Sequence, residues 1–133
     1  MVEAKAMWSD NMRFLAEATS GHGIVVDGEK KSGNSPVELI LIALCGCTGY
    51  DVVSILRKKR EAFTGLEVRA QGERSEGQPS VFTSVQLIYT VKGKVTHKAM
   101  EDAVRLSEEK YCSVAAMVSK TAKISYRIEY VEG

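Results

Sequence analysis

The first third of the chain alternates short apolar runs with polar turns. Three of these runs are typical of β-strands, at residues 4–8, 13–18 and 23–27. Asp27 and Gly28 together predict a turn, and the polar segment 29–34 predicts an exposed loop. This part of the chain is therefore expected to form a small β-structure.

A long helix is predicted to begin at Pro36. Ser35 suits the N-cap, Pro36 suits the first helical position, and Glu38 completes a capping box with Ser35. The helix is expected to continue to about Lys59. Residues 39–44 are all apolar, so the first half of the helix must be covered on every side. Because 133 residues can hardly cover so long an apolar helix, we expect a homo-oligomer, most simply a dimer.

The rest of the chain mixes both kinds of periodicity. Alternating apolar positions predict strands over 66–72, 81–91 and 124–130. Helical spacing predicts a second helix capped by Thr96 and, after a break at 111–113, a short third helix over 114–122. The order of elements indicates an α+β fold with antiparallel strands.

Composition places the chain among ordinary globular proteins. Its 133 residues fit one domain spanning 1–133, with 44% hydrophobic and 26% charged residues. The formal net charge is only +1, so no excess of positive charge favours nucleic acid or an anionic membrane as a partner. The basic run 57–60 follows an apolar helical pattern, where it is expected to interact with the negative end of the helix dipole.

Neither a signal peptide nor a membrane span is expected. Residues 1–10 include Glu3 and Lys5 and contain no continuous apolar stretch. The most apolar segment, 37–47, has eleven residues, whereas a bilayer span needs roughly 20. We therefore expect a cytoplasmic protein, in which cysteines stay reduced unless they are used for redox chemistry.

The candidate chemistry lies in three cysteines, Cys45, Cys47 and Cys112. Side chains two residues apart on a helix project about 200° from each other, so Cys45 and Cys47 cannot hold one ion. Both histidines are distant in sequence, and no metal or other cofactor is expected. Cys45, inside the apolar helix, is interpreted as core packing.

The residues alone leave both core packing and redox chemistry open for Cys47 and Cys112. Cys47 lies among small residues that leave room for a partner or a pocket. Asp51, one turn beyond it, brings to the same stripe a carboxyl group that would raise the pKa of a thiol. Cys112 stands at a helix boundary, where backbone N–H groups and the helix dipole favour the thiolate.

Several segments carry a family resemblance. NSPVEL at 34–39 and ALCGC at 43–47 resemble the N/S-P-x-E-L…A-x-x-x-C pattern of the OsmC/Ohr family. DVVSILRKK at 51–59 and SEEKYCSVA at 107–115 resemble its YhfA-like branch. The resemblance extends over nearly the whole chain, including the order of elements.

The resemblance implies an intertwined homodimer, with antiparallel sheets wrapped around long central helices. It also implies cysteine-based reduction of organic hydroperoxides in the oxidative and osmotic stress response. By position Cys47 matches the peroxidatic cysteine and Cys112 the resolving cysteine, 65 residues later. The implied cycle passes through a Cys47 sulfenic acid and a Cys47–Cys112 disulfide, which an external dithiol reduces.

One departure from the family pattern leaves other functions open. The peroxidase members place a glutamate ten residues before the reactive cysteine, where this chain has Val37. Glu38, one position away, and Arg13, in the first strand region, are the remaining candidates for the family's glutamate and arginine. The alternatives are a non-enzymatic stress protein that binds a small apolar ligand on the same scaffold, and an interaction domain with inert cysteines.

Overall fold

A computed structural model describes all 133 residues. Contacts within the chain divide it into two compact units, Met1–Ile40 and Leu41–Gly133. The interpretation of the whole chain as one domain stays a prediction.

The first unit contains the three predicted strands. β1 (Ala4–Asp10), β2 (Arg13–Ala18) and β3 (Gly23–Asp27) form an antiparallel sheet in that order, with β1 two residues longer than expected. Many of its apolar side chains are exposed to solvent, including Met7, Trp8, Leu15 and Ile24. This sheet therefore leaves apolar surface that a single chain does not cover.

α1 (Pro36–Lys58) begins where the sequence predicts. The capping box is formed: Ser35 N–H donates to Glu38 Oε1 at 2.9 Å, and Glu38 N–H donates to Ser35 Oγ at 3.3 Å. Each side chain thus accepts a hydrogen bond from a backbone N–H group that has no partner within the helix.

The whole of α1 is more apolar than the eleven-residue run suggested. By length and composition alone, this helix could cross a membrane. The expectation that no segment is long enough is therefore wrong, because the apolar pattern continues past Cys47. Length and composition alone are weak evidence of a span, since core helices share them. Within the second unit, one stripe of α1 at a spacing of four residues is buried, as in a core helix: Leu44, Thr48, Val52 and Leu56.

The second unit contains a three-stranded sheet with β5 at its centre. β4 (Ala62–Arg74) pairs antiparallel with β5 (Phe82–Lys94), whereas β6 (Lys123–Val131) pairs parallel with β5. The expectation of antiparallel strands is therefore wrong for the last strand. A helical connection joins β5 to β6, and such crossovers are what parallel neighbours require. Because β5 has neighbours on both sides, it carries most of the buried strand positions: Phe82, Val85, Leu87, Ile88, Tyr89 and Val91.

The connection between β5 and β6 consists of three helical pieces. α2 (His97–Leu106) is capped by Thr96, as predicted, and is followed by a π-helical turn, Ser107–Tyr111. α3 (Ser113–Val118) is shorter than the predicted third helix. The π-helical turn and Cys112 interrupt the helical pattern where the sequence predicts a break. Across this turn, the Cys112 N–H donates to the Ser107 carbonyl at 2.8 Å. The α+β class is confirmed.

Candidate thiol site

The fold of the second unit brings two distant cysteines together. Cys47 lies on α1, next to the buried stripe, and is half-buried. Cys112 follows the π-helical turn and is only 4% exposed. The two thiols interact through a hydrogen bond, although 65 residues separate them in sequence. A pair of thiols in contact, one of them accessible, can be oxidised to a disulfide without a large rearrangement.

The environment of Cys112 keeps its thiol protonated. Burial, followed by the hydrogen bond to Cys47, raises the pKa of Cys112 to about 12. Ala115 N–H donates to Cys112 Sγ at 3.3 Å and acts in the opposite direction, but it does not outweigh burial. The expectation that the helix start favours a thiolate at Cys112 is therefore wrong, because the sequence shows the cap and not the burial.

A buried chain of hydroxyl groups lies beside the thiols. Thr48 Oγ1 contacts the Tyr89 hydroxyl at 2.6 Å and Ser107 Oγ at 2.8 Å. The Tyr89 hydroxyl forms a hydrogen bond of 2.8 Å with Glu108 Oε1. Ser107 Oγ forms a hydrogen bond of 2.8 Å with Asp51 Oδ2. The chain thus runs from one carboxyl group to another through three hydroxyls and links α1, β5 and the π-helical turn.

Residues near the hydroxyl chain have displaced pKa values. Burial raises the pKa of Glu108, and the negative charge of Asp51 acts in the same direction. Burial also raises the pKa of Tyr89. A raised pKa favours the uncharged form, so this region holds its protons more tightly than solvent-exposed groups would.

The sequence pattern identified Asp51 as a neighbour of Cys47, but it did not predict the hydroxyl chain that links Asp51 to Glu108. The available signal was Tyr89, a tyrosine on a buried strand face, whose hydroxyl needs a hydrogen-bond partner. The polar pair Ser107 and Glu108 was part of the family-like segment after α2. Nothing in the sequence shows that these groups meet Thr48.

Cys45 lies on a different side of α1 from the buried stripe. It is half-buried, burial raises the pKa of its thiol, and it lines a groove of about 840 Å³ between α1 and β4. The interpretation of Cys45 as core packing is therefore not realised within one chain. The groove is mainly apolar, and its lining includes Ile42, Cys45, Tyr50, Val53, Leu66 and Val68.

The other two candidate residues lie in the first unit and have local partners. Arg13 Nε donates to Asp10 Oδ1 at 2.8 Å, and this hydrogen bond raises the pKa of Arg13. Glu38 accepts from the Ser35 N–H and hydroxyl, which lowers the pKa of its carboxyl. Both side chains thus already form hydrogen bonds to neighbouring residues. Their assignment to the thiol site stays a prediction.

Comparisons with known proteins agree on one family. Residues 28–127 match the family described as OsmC-like protein. The chain is 41% identical over 132 residues to Protein YhfA of Escherichia coli (strain K12), covering 98% of each chain. It resembles the crystal structure of a hypothetical protein from Aquifex aeolicus with a TM-score of 0.85 and 36% identity, covering 98% of this chain and 97% of that one.

A more distant structure shares the fold alone. The organic hydroperoxide resistance protein OsmC from Legionella pneumophila matches with a TM-score of 0.72 and 14% identity, covering 97% of this chain and 96% of that one. The family match and the 41% identity to Protein YhfA each extend over most of the chain. The chain belongs to the OsmC-like protein family.

Proposed function

We propose that this protein is a thiol peroxidase that reduces organic hydroperoxides in the oxidative and osmotic stress response. The observation that carries the proposal is the contact between Cys47 and Cys112. A hydroperoxide can approach Cys47, which is half-buried, more readily than Cys112, which is buried. The two thiols therefore have different roles, with Cys47 attacking the peroxide and Cys112 resolving the product.

The bonds that form and break at sulfur in the proposed cycle involve only the two cysteines, the hydroperoxide and an external reductant. The Cys47 thiolate attacks the distal peroxide oxygen, the O–O bond breaks, and the alkoxide takes a proton to leave as an alcohol. Cys112 then attacks the Cys47 sulfenic acid, the S–O bond breaks, and the thiol proton of Cys112 leaves with hydroxide as water. An external dithiol reduces the resulting disulfide and becomes oxidised.

The name of the Legionella pneumophila neighbour, which refers to organic hydroperoxide resistance, gives indirect support. At 14% identity the similarity in fold does not carry the chemistry by itself. The support specific to this chain is that both cysteines are present and that the fold places their thiols together. Arg13 is proposed as a partner of the thiolate and Glu38 as a residue that orients the arginine. Each would have to exchange its present hydrogen bond for this role.

Adding cumene hydroperoxide to the reduced protein should consume two thiols per chain and form a Cys47–Cys112 disulfide. The expectation follows from the contact between the two thiols, which lets the sulfenic acid be captured within the site. Thiol titration would measure the loss, and peptide mapping under non-reducing conditions would identify the bond. Hydroperoxide consumed without this disulfide, or no consumption at all, would contradict the proposed function.

We also propose that the protein is a cytoplasmic homodimer. The groove along α1 and the exposed apolar side chains of the first sheet are surfaces that a second copy would cover. A second copy packed against these surfaces would shield the apolar side chains of α1 from water.

Ile42→Glu should weaken the proposed dimer, because Ile42 lines the groove and is 50% exposed in the single chain. A carboxylate without a partner at such an interface should raise the dimer dissociation constant by about a hundredfold or more. Sedimentation velocity across a concentration series would measure the shift. Val131→Glu, at a similarly exposed apolar position outside the groove, serves as the control. A wild-type monomer at all concentrations, or equal effects of both variants, would argue against this interface.

The groove also supports the second candidate function, the binding of a small apolar ligand without turnover. About 840 Å³ of mainly apolar space is large enough for a ligand of ordinary size. The two functions differ in their use of the thiols. A protein that only binds such a ligand would leave its thiols unchanged when cumene hydroperoxide is added.

A further inference from the structure

The hydroxyl chain formed by Tyr89, Thr48 and Ser107 contains one hydrogen bond more than its hydroxyl groups can donate. Four oxygen–oxygen contacts of 2.6–2.8 Å connect Glu108, the three hydroxyls and Asp51. Each hydroxyl group has a single hydrogen, so the three together supply three donors. The fourth contact requires a further proton, and only a carboxyl group at one end of the chain can hold it.

One further proton is the smallest number that fills every contact of the hydroxyl chain. The two carboxyl groups lie at opposite ends of the chain, and neither forms a salt bridge with a lysine, arginine or histidine. With one proton, all four contacts are filled. If it lies on Glu108, each hydroxyl donates towards Asp51, and if it lies on Asp51, each donates towards Glu108. Both arrangements use the same heavy-atom positions, so the proton can be exchanged by reversing the donors.

The hydroxyl chain lies directly beside the thiol pair. Thr48 follows Cys47 in sequence, and the Ser107 carbonyl accepts from the Cys112 N–H at 2.8 Å. Glu108 lies close enough to Cys112 for its charge to raise the pKa of the thiol. Asp51, at the other end, is only partly buried and can exchange protons with water.

We propose that Glu108 and Asp51 share one exchangeable proton through the hydroxyl chain, and that this proton serves Cys112 when the disulfide is reduced. The first part depends only on the contacts above, whereas the second rests on the proposed function of the cysteine pair. The role fits the site because a thiolate leaves a disulfide slowly when its pKa is high.

The reductive step then balances as follows. A thiolate of the external dithiol attacks Cys47 Sγ, the Cys47–Cys112 bond breaks, and Cys112 Sγ leaves with the electron pair. Glu108 gives its proton to that sulfur and recovers one through the chain from Asp51, which takes it from water. The second thiol of the dithiol releases Cys47, so the dithiol is oxidised and the protein disulfide is reduced. Glu108 thus acts as a general acid towards Cys112 Sγ and touches no substrate.

Glu108→Gln is the central test. The glutamine amide can donate to Tyr89 as a protonated glutamate does, which preserves the hydrogen bonds, but it has no proton to pass on. The disulfide would be formed with diamide, so that no hydroperoxide is needed, and reduced with dithiothreitol across a pH series. We expect the variant to be reduced about tenfold or more slowly than wild type at low pH. The difference should disappear at high pH, where Glu108 has already lost its proton.

Glu109→Gln is the matched control, because it removes a neighbouring exposed carboxyl and should behave as wild type. The ionisable groups that interact with Glu108 are Tyr89, Asp51 and Cys112. Equal reduction rates for wild type and Glu108→Gln at every pH would overturn the role in reduction. Since diamide forms the disulfide, that result would leave the peroxidase proposal intact.

Unfolding in urea at several pH values tests the shared proton separately from catalysis. The raised pKa of Glu108 adds stability below the ordinary glutamate value of 4.5, and this stability is lost as pH rises through the folded-state pKa. The stability of wild type relative to Glu108→Gln should therefore fall as pH rises above 4.5. Asp51→Asn removes the second carboxyl and should move this fall to lower pH. If Asp51→Asn leaves the pH midpoint of this fall in stability unchanged, Glu108 titrates without sharing its proton. Should Glu108→Gln not fold, the pH midpoint of the change in unfolding free energy is compared directly between wild type and Asp51→Asn.

Discussion

Cys47→Ser should lower the rate of hydroperoxide reduction by about three orders of magnitude or more, because it removes the proposed nucleophile. Cys112 cannot replace it. Cys112 is 4% exposed, and burial holds the pKa of its thiol at about 12, so almost none of it is thiolate at neutral pH. Serine fills nearly the same volume as cysteine, so the fold should be retained. The loss of cumene hydroperoxide in the presence of excess dithiothreitol measures the rate.

Cys45→Ser is the matched control for this experiment. It makes the same chemical change on the same helix two residues away, where the thiol lines the groove and has no contact with Cys112 comparable to that of Cys47. We expect its rate to stay within a factor of about two of wild type. Equal losses in the two variants would mean that the helix is disturbed in general. A wild-type rate in Cys47→Ser would exclude Cys47 as the nucleophile.

The elements of the fold could be predicted where local chemistry determines them. The start of α1 follows from Ser35 and Glu38, which satisfy backbone donors within one helical turn. Thr96 caps α2 for the same reason. The direction of β6 could not be predicted, because it depends on how a 28-residue connection, 95–122, crosses the sheet and not on the residues of the strand.

The two cysteines of the candidate site could be predicted from the sequence, but the burial and hydrogen bonding around their thiols could not. The resemblance to a family identified Cys47 and Cys112, and the fold places their thiols in contact. Their ionisation could not be read from the sequence. A cap on Cys112 favours thiolate, burial opposes it, and only the three-dimensional packing shows that burial is the larger effect.

The two faces of α1 explain why its sequence is apolar almost all round. The stripe that includes Leu44 and Val52 is buried within the chain. The stripe that includes Cys45 and Val53 lines the groove. Cys47 and Asp51 lie next to the buried stripe, and Thr48 within it carries the hydroxyl chain. One helix thus supplies part of the core, an apolar surface and the proposed reactive thiol, and its hydrophobic pattern alone cannot separate the three.

Cys112→Ser should stop the proposed cycle at the sulfenic acid. Without the resolving thiol, one equivalent of hydroperoxide should oxidise Cys47 and form no intramolecular disulfide. Labelling by dimedone, a reagent specific for sulfenic acids, should rise from almost none in wild type to about one adduct per chain. Further hydroperoxide should convert the sulfenic acid to sulfinic acid, which ordinary thiols do not reduce. Mass spectrometry of the intact chain and of its peptides would measure both products.

The substitution should leave the fold intact, which makes this result interpretable. Cys112 is the N-cap of α3 and accepts from Ala115 N–H, and serine is among the best residues for that position. Ser113→Ala, one residue further on, is the control and should still form the disulfide. Dimedone labelling at Cys45, or a disulfide between Cys45 and Cys47 in the variant, would show that oxidation follows another route. In that case the buried position of Cys112 would reflect packing, because a resolving thiol is defined by the intermediate that accumulates when it is removed.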